Sequence, residues 1–139
     1  EMLEKLNPDI IIFHYEATSD IMENIMYIKN KGIGVGLAIN PETDVRVLDN
    51  YLNKLDMVLV MSVQAGASGQ TFIDITDKID YLIKYRYENN LEFIIQVDGG
   101  INDKTINKVK NADRVVVGSF ITKSDDYLSQ VNKLRWFYE

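Results

Sequence analysis

The sequence contains no cysteine and only one histidine, two prolines and one tryptophan among its 139 residues. Without cysteine the protein can form neither a disulfide nor a catalytic thiolate, which fits an intracellular protein. No apolar run approaches the length of about 20 residues that a membrane-spanning helix needs. Three of residues 1–5 are charged, and the segment predicts a helix end rather than an apolar targeting segment. We therefore expect a cytoplasmic protein with no membrane partner.

Basic residues are the minority among the charged ones. The 15 lysines and arginines stand against 21 aspartates and glutamates, which gives a net charge of −6. A polyanion such as a nucleic acid is therefore an unfavourable partner. A small anion is still compatible with this charge, because backbone N–H groups and helix dipoles can bind one inside an acidic protein.

Short apolar runs recur along the chain between amphipathic stretches. The runs cover residues 10–13, 35–39, 57–63, 93–97 and 115–117. Continuous apolar strands separated by helices predict a parallel sheet that is buried on both faces. The pattern gives five β/α units in one domain over residues 1–139.

The segments between these runs have helical periodicity. Helices are predicted over 21–28, 75–83 and 124–136. Asp20 and Glu23 have the spacing of a capping pair, and another helix is predicted to follow residues 41–43.

Each predicted strand is followed by polar residues or glycines. Asp98, Gly99 and Gly100 follow the fourth run, and they allow two interpretations. The first is a tight turn, because Asp-Gly tolerates unusual backbone angles. The second is a site in which a carboxylate and bare backbone N–H groups meet an anion at the end of a parallel strand. The polar character of all five strand ends favours the site.

His14 ends the first strand and also allows two interpretations. A lone histidine is commonly a hydrogen-bonded structural residue, whereas a His and an Asp at one sheet edge can form the corner of a zinc or hard-metal site. Glu16, two residues further along, is predicted to share the His14 face of the pleat.

Two further segments are candidates for anion binding. The glycine-bearing loop 66–69 precedes a helix predicted to begin near Phe72 or Ile73, so it is either a flexible loop or one that grips an anion. Gly118 and Ser119 follow the last strand, and barrel enzymes commonly bind phosphate between the loops after their last two strands.

Five motifs in this order resemble the ribulose-phosphate 3-epimerase family. They are HYEA from residue 14, GLAINPET from 36, MSV with GQ-x-F over 61–72, VDGGI from 97 and VGS from 117. The resemblance runs from near residue 9 to near residue 122. It implies an α/β fold of the TIM (β/α)8 barrel class, represented here by strands four to eight as a partial barrel, with the N-terminal three β/α units absent. Residues 1–6 would be the helix before strand four.

The resemblance implies an epimerase that interconverts D-ribulose 5-phosphate and D-xylulose 5-phosphate in the pentose phosphate pathway, by metal-assisted proton transfer at C3. The expected cofactor is a divalent metal, Zn²⁺ first, with Fe²⁺, Mn²⁺ and Co²⁺ as alternatives. Allulose-6-phosphate 3-epimerase and a non-catalytic phosphate-binding barrel module are the alternative functions. A homo-oligomer is left open.

By position, the resemblance implies His14 and Asp98 as metal ligands and Asp98 as one of two catalytic acids. It implies substrate contacts at His14, Gly66, Ala67, Ser68, Gly69, Asp98, Gly99, Gly100, Gly118 and Ser119. The loop departs from the family pattern, because Ala65, Ala67 and Ser68 stand where Pro, Phe and Gly are usual. The second acid and the remaining ligands would lie on the absent strands, so we expect this chain alone neither to close a barrel nor to epimerise.

Overall fold

The computed structural model describes residues 8–64 and 71–138, and in them five parallel strands form one sheet in the order β1-β2-β3-β4-β5. The strands are β1 (Ile10–His14), β2 (Gly34–Ile39), β3 (Met57–Met61), β4 (Ile94–Asp98) and β5 (Arg114–Val116). Doubly wound sheets reverse their strand order, whereas neighbouring strands of a (β/α)8 barrel follow chain order. The order is therefore that of a partial barrel, as predicted.

The strands match the apolar runs to within one or two residues. The largest difference is at β3, which ends at Met61 although the apolar run extends to residue 63. The Ser62 N–H still donates to the carbonyl of Asp98 in β4, 2.9 Å away, but its own carbonyl accepts from the N–H of Ile73 at 2.7 Å rather than from β4. The chain after β3 is thus joined to the end of β4.

The prediction of five β/α units is wrong for two connections. The α-helices are α1 (Ile21–Asn30), α2 (Thr76–Glu88), α3 (Ser119–Thr122) and α4 (Tyr127–Tyr138). The described chain forms only 3₁₀ turns between β2 and β3, at Val45–Leu48 and Leu52–Lys54, and between β4 and β5, at Ile106–Lys108.

Short polar side chains account for these 3₁₀ turns, because they bond to nearby backbone and compete with an α-helix. The Asp44 carboxylate accepts from the N–H of Arg46 at 3.0 Å. The Asn102 side chain accepts from the N–H groups of Lys104 and Thr105, at 2.8 and 3.0 Å.

One helix start and one helix cap differ from the prediction for local reasons. The helix α2 begins at Thr76, within one residue of the predicted segment 75–83 but later than the start predicted near Phe72 or Ile73. Asp74 Oδ1 accepts from the backbone N–H of Thr76 at 2.9 Å and from its hydroxyl at 2.5 Å, which sets this start. The capping pair predicted at the start of α1 is wrong. Asp20 occupies the N-cap position, but its side chain makes no capping hydrogen bond.

The hydrophobic core lies between the sheet and its helices. Alternate residues of the strands face it, among them Val35, Leu37, Ile39, Val58, Val60, Ile95 and Val97. Buried residues of α1 and α2 cover them, among them Ile25, Ile79 and Leu82. In the described ranges, no helix combines the length and apolarity needed to cross a membrane.

Aspartates fix the strand register at the N-terminal end of the sheet. Asp113, just before β5, accepts from the N–H of Ile95 at 2.8 Å and from Arg86 at 2.6 Å. Its own N–H donates to the Ile95 carbonyl at 2.9 Å. Asp56, just before β3, makes the same pair of bonds to Val35, both at 2.8 Å. Each aspartate extends the backbone ladder by a side chain.

We predict that Asp113→Ala lowers the free energy of unfolding by about 1–3 kcal/mol, because the Ile95 N–H loses its acceptor and the Arg86 guanidinium loses its carboxylate partner. Urea denaturation measures this. Glu88→Ala is the control, since it removes an exposed carboxylate paired with Lys84 in the same helix and is expected to cost less than about 1 kcal/mol. Equal losses in the two variants would show that the aspartate does not hold the register.

Candidate functional site

The strand register defines an inner face of the sheet, opposite the hydrophobic core. His14 pairs with Ala38, which pairs with Leu59, which pairs with Gln96. Paired residues of parallel strands point to the same side, so His14 and Gln96 share the inner face. Asp98 lies two residues beyond Gln96 and therefore points the same way, one step nearer the C-terminal edge. The structure thus places His14 and Asp98 on one face.

Asp98 ends β4 with a half-buried carboxylate. Burial raises the pKa of this carboxyl above its ordinary value of 3.8. Within the described chain, desolvation is the cause of this rise in pKa, and no residue there offsets it with a hydrogen bond or a positive charge. A carboxylate in this environment is available to take up a proton, which is what acid–base chemistry needs.

Ser62 anchors the turn that follows Asp98. Its side chain is fully buried, and its hydroxyl donates to the carbonyl of Gly99. Its N–H donates to the Asp98 carbonyl as well, so one residue holds two successive carbonyls of the turn. Sequence reasoning missed this role, although a serine at the end of an apolar run was the available signal.

Gly99 and Gly100 are required by the turn itself. Both have positive φ, +127° and +67°. A Cβ on Gly99 would lie 2.8 Å from the backbone nitrogen of Val63, and one on Gly100 would lie 3.2 Å from Cα of Phe72. The tight-turn interpretation is therefore confirmed. Contact of these residues with an anion stays a prediction.

Gly118 and Ser119 lie at the end of the strand beside Asp98. Val116 of β5 pairs with Asp98, and α3 begins at Ser119. The two loops predicted to hold phosphate thus follow neighbouring strands. Gly118 differs from the other glycines that the structure describes, because a Cβ there would meet open space and its φ is not positive. No packing within the described chain requires glycine at this position.

Glu16 lies close to His14, but it does not share a strand face with His14 as predicted. β1 ends at His14, and Glu16 lies in a 3₁₀ turn (Tyr15–Ala17) rather than in the strand. Glu16 Oε1 nevertheless lies 3.9 Å from His14 Nδ1. Its other oxygen accepts from the N–H of Asn40 at 2.9 Å and from the hydroxyl of Thr43 at 2.6 Å.

His14 and Asp98 carry two side chains of the kind that bind metals. An imidazole and a carboxylate on one face have the donor chemistry that a divalent metal such as zinc accepts. His14 and Asp98 start from strands three spacings apart, about 14 Å along the sheet. Over residues 8–64 and 71–138, no group of three or more His, Cys, Asp or Glu side chains could hold a metal ion. A metal held by His14 and Asp98 would need further ligands.

Some predicted site residues lie outside the described residues. These are Gly66, Ala67, Ser68 and Gly69 of the predicted loop, together with the helix predicted over residues 1–6.

Comparison with known proteins gives the same family as the sequence motifs. The model of the ribulose-phosphate 3 epimerase family matches residues 1–122. Proteins named ribulose-phosphate 3-epimerase from Buchnera aphidicola subsp. Baizongia pistaciae and Escherichia coli K12 are 40% and 36% identical over 134 and 129 residues. These matches cover 94% and 91% of this chain and 59% and 57% of the relatives. The chain thus spans less than two thirds of the length of the curated relatives that it matches.

Solved structures share the fold at lower identity. 3-Hexulose-6-phosphate synthase from Salmonella typhimurium aligns with a TM-score of 0.63 at 22% identity, over 99% of this chain and 64% of that one. KGPDC from Streptococcus mutans aligns with a TM-score of 0.54 at 14% identity, over 94% of this chain and 60% of that one. These likenesses concern the fold alone. From the family match, the chain belongs to the ribulose-phosphate 3-epimerase family.

Proposed function

We propose that the protein interconverts D-ribulose 5-phosphate and D-xylulose 5-phosphate by proton transfer at C3, a reaction of the pentose phosphate pathway. The observation that carries the proposal is the position of Asp98, a half-buried carboxylate on the inner face at the C-terminal edge of the sheet. That edge is where barrel enzymes hold their catalytic groups. Family membership supplies the reaction class.

Asp98 is the proposed acid–base group. A proton next to a ketone is weakly acidic, so the base must be fixed beside it. Ser62 binds the backbone carbonyls of Asp98 and Gly99, and it thereby holds the carboxylate at a constant height on the inner face. Inversion needs a second acid on the opposite side of the substrate, which we place outside the described residues.

The phosphate is proposed to lie against Gly118 and Ser119, beside the turn of Gly99 and Gly100. Support comes from the adjacency of β4 and β5 and from the open space at Gly118. Gly66, Ala67, Ser68 and Gly69 are proposed to cover the substrate.

His14 and Asp98 are proposed to contribute two ligands to a divalent metal, zinc by preference, with iron, manganese and cobalt as alternatives. A bound metal would supply positive charge to stabilise the oxygen that becomes negative when the proton leaves. The remaining ligands must come from elsewhere in the protein.

The test is proton exchange at C3, measured by NMR on the full-length protein in D₂O. Loss of the C3 proton signal of D-ribulose 5-phosphate, with appearance of D-xylulose 5-phosphate, is the expected result. Exchange with D-allulose 6-phosphate alone would identify the allulose-phosphate enzyme. Binding of either sugar without exchange would identify a non-catalytic module, and both results overturn the proposal.

We predict that Asp98→Asn lowers kcat by about 10²–10⁴-fold, because the amide cannot take up a proton. The variant should be at least as stable as wild type at pH 7 in the metal-free protein. A folded-state pKa raised by burial means that the charged carboxylate is unfavourable above pH 3.8, and the amide removes this charge. Thermal unfolding and the C3 exchange assay measure the two effects.

Asp103→Asn is the control for this variant. Asp103 is an exposed acid in the connection that follows β4, and its replacement should change neither turnover nor stability. Full activity in Asp98→Asn would show that Asp98 is not the acid–base group.

We predict opposite outcomes for two glycine variants. Gly118→Ala should keep the wild-type stability within about 0.5 kcal/mol and raise KM, because its methyl group enters the space assigned to phosphate. Gly99→Ala should lose about 1–3 kcal/mol or more, because its φ is positive and its Cβ meets Val63. Denaturant unfolding and steady-state kinetics separate the two. An unchanged KM in Gly118→Ala would show that the phosphate does not bind at Gly118.

A further inference from the structure

Asn40 occupies the first position after β2, at the same edge of the sheet as Asp98. It follows Ile39, which pairs with Val60, and Met61, the residue after Val60, pairs with Asp98. Asn40 and Asp98 therefore lie at the C-terminal edge of the sheet with a single strand between them, about 10 Å apart along the sheet.

Both backbone groups of Asn40 are held by charged side chains. Its N–H donates to Glu16 Oε2 at 2.9 Å, and its carbonyl accepts from Lys78 Nζ at 3.0 Å. Glu16 also accepts from the hydroxyl of Thr43, and Lys78 also donates to the carbonyls of Pro41 and Thr43. We call Glu16 and Lys78 the clamp on residues 40–43.

Every N–H donor of the Lys78 ammonium group takes part in the clamp. An ammonium group has three N–H donors, and all three are directed at backbone carbonyls. Burial lowers the pKa of Lys78, against the opposing charges of Glu42, Glu16 and Asp44. Desolvating a lysine is unfavourable, so the clamp makes sense where the position of residues 40–43 matters.

The side chain of Asn40 contrasts with its backbone. Oδ1 is buried and receives no hydrogen bond within the described chain. A buried acceptor without a donor is unfavourable and calls for an explanation. If Oδ1 turns towards the inner face, no hydrogen bond within the described chain is broken.

We propose that Asn40 is a substrate-binding residue whose side-chain amide hydrogen-bonds a hydroxyl group of the bound sugar phosphate, across β3 from Asp98. This inference rests on the proposed function. A ketose phosphate carries hydroxyl groups along its length, and an amide can both donate to them and accept from them. The amide is neutral at every working pH, so it can orient the sugar without competing with Asp98 for the proton. Glu16 and Lys78 act as positioning residues that fix the height of Asn40.

The test is Asn40→Leu, which keeps the volume of the side chain and removes the amide. Its Tm should equal or exceed that of wild type, because the lost oxygen had no partner. Its KM for D-ribulose 5-phosphate should rise by about tenfold, the equivalent of one hydrogen bond. Asn53→Leu, at an exposed asparagine in the turn Leu52–Lys54, is the control and should leave KM unchanged.

A second pair of variants tests the clamp. Lys78→Met should lower Tm and raise KM together, because residues 40–43 lose the donor to three carbonyls. Lys84→Met, at an exposed lysine of the same helix, should change neither. A wild-type KM in Lys78→Met would show that the clamp does not position Asn40.

A purely structural asparagine would give the opposite pattern, a lower Tm in Asn40→Leu with unchanged KM and kcat, and that result overturns the inference. If the wild-type protein fails the C3 exchange assay, the proposed function fails separately. Binding then decides the inference, through the rise in Tm that D-ribulose 5-phosphate produces. A rise in wild type that is lost in Asn40→Leu supports it, whereas equal rises, or none, overturn it.

Discussion

The parallel pairing of five consecutive strands is the constraint on which the site depends. Side chains alternate along a strand, so a slip of one residue at any ladder would turn His14 or Asp98 from the inner face into the helix-covered core. The register is held at the opposite end of the sheet, where Asp56 and Asp113 extend the ladders with their side chains. Residues far from the candidate site therefore determine which groups it contains.

The turn after β4 shows how one local structure serves fold and site together. Gly99 and Gly100 are needed because the turn has positive φ and packs against Val63 and Phe72, whatever binds there. The same turn places the Asp98 carboxylate at the sheet edge, and the Ser62 hydroxyl holds the turn by donating to the Gly99 carbonyl. A glycine pair after an acid is thus weak evidence for a phosphate site by itself. Gly118 is the stronger indicator, because nothing in the described packing calls for glycine there.

The strands could be predicted from the sequence, because continuous apolar runs and their alternation with polar stretches depend on composition along the chain. The order of the strands in the sheet followed instead from the resemblance to a barrel family. Helix boundaries were harder to predict. Asp74 moves the start of α2 towards the C-terminus, and Asn102 favours a 3₁₀ turn. Each acts through side-chain hydrogen bonds that leave no periodic signal in the sequence.

The clamp on residues 40–43 could not be predicted from the sequence. Lys78 donates to the carbonyl of Asn40, which is 38 residues away along the chain, and no sequence motif connects the two residues. His14 and Asp98 could be placed on one edge, whereas the loop 66–69 falls outside the described residues.

The distribution of charge constrains how an anionic substrate could lie in so acidic a protein. Glu16 and Glu42 are both close to Lys78, at the ends of β1 and β2, and all three of the Lys78 donors are already used by backbone carbonyls. Among the described residues, Lys78 therefore has no donor to spare for a phosphate. Under the proposed function, the phosphate lies instead against the loops after β4 and β5. This orientation would direct the sugar hydroxyl groups towards β2, with the middle carbons over Asp98 and the far end at Asn40.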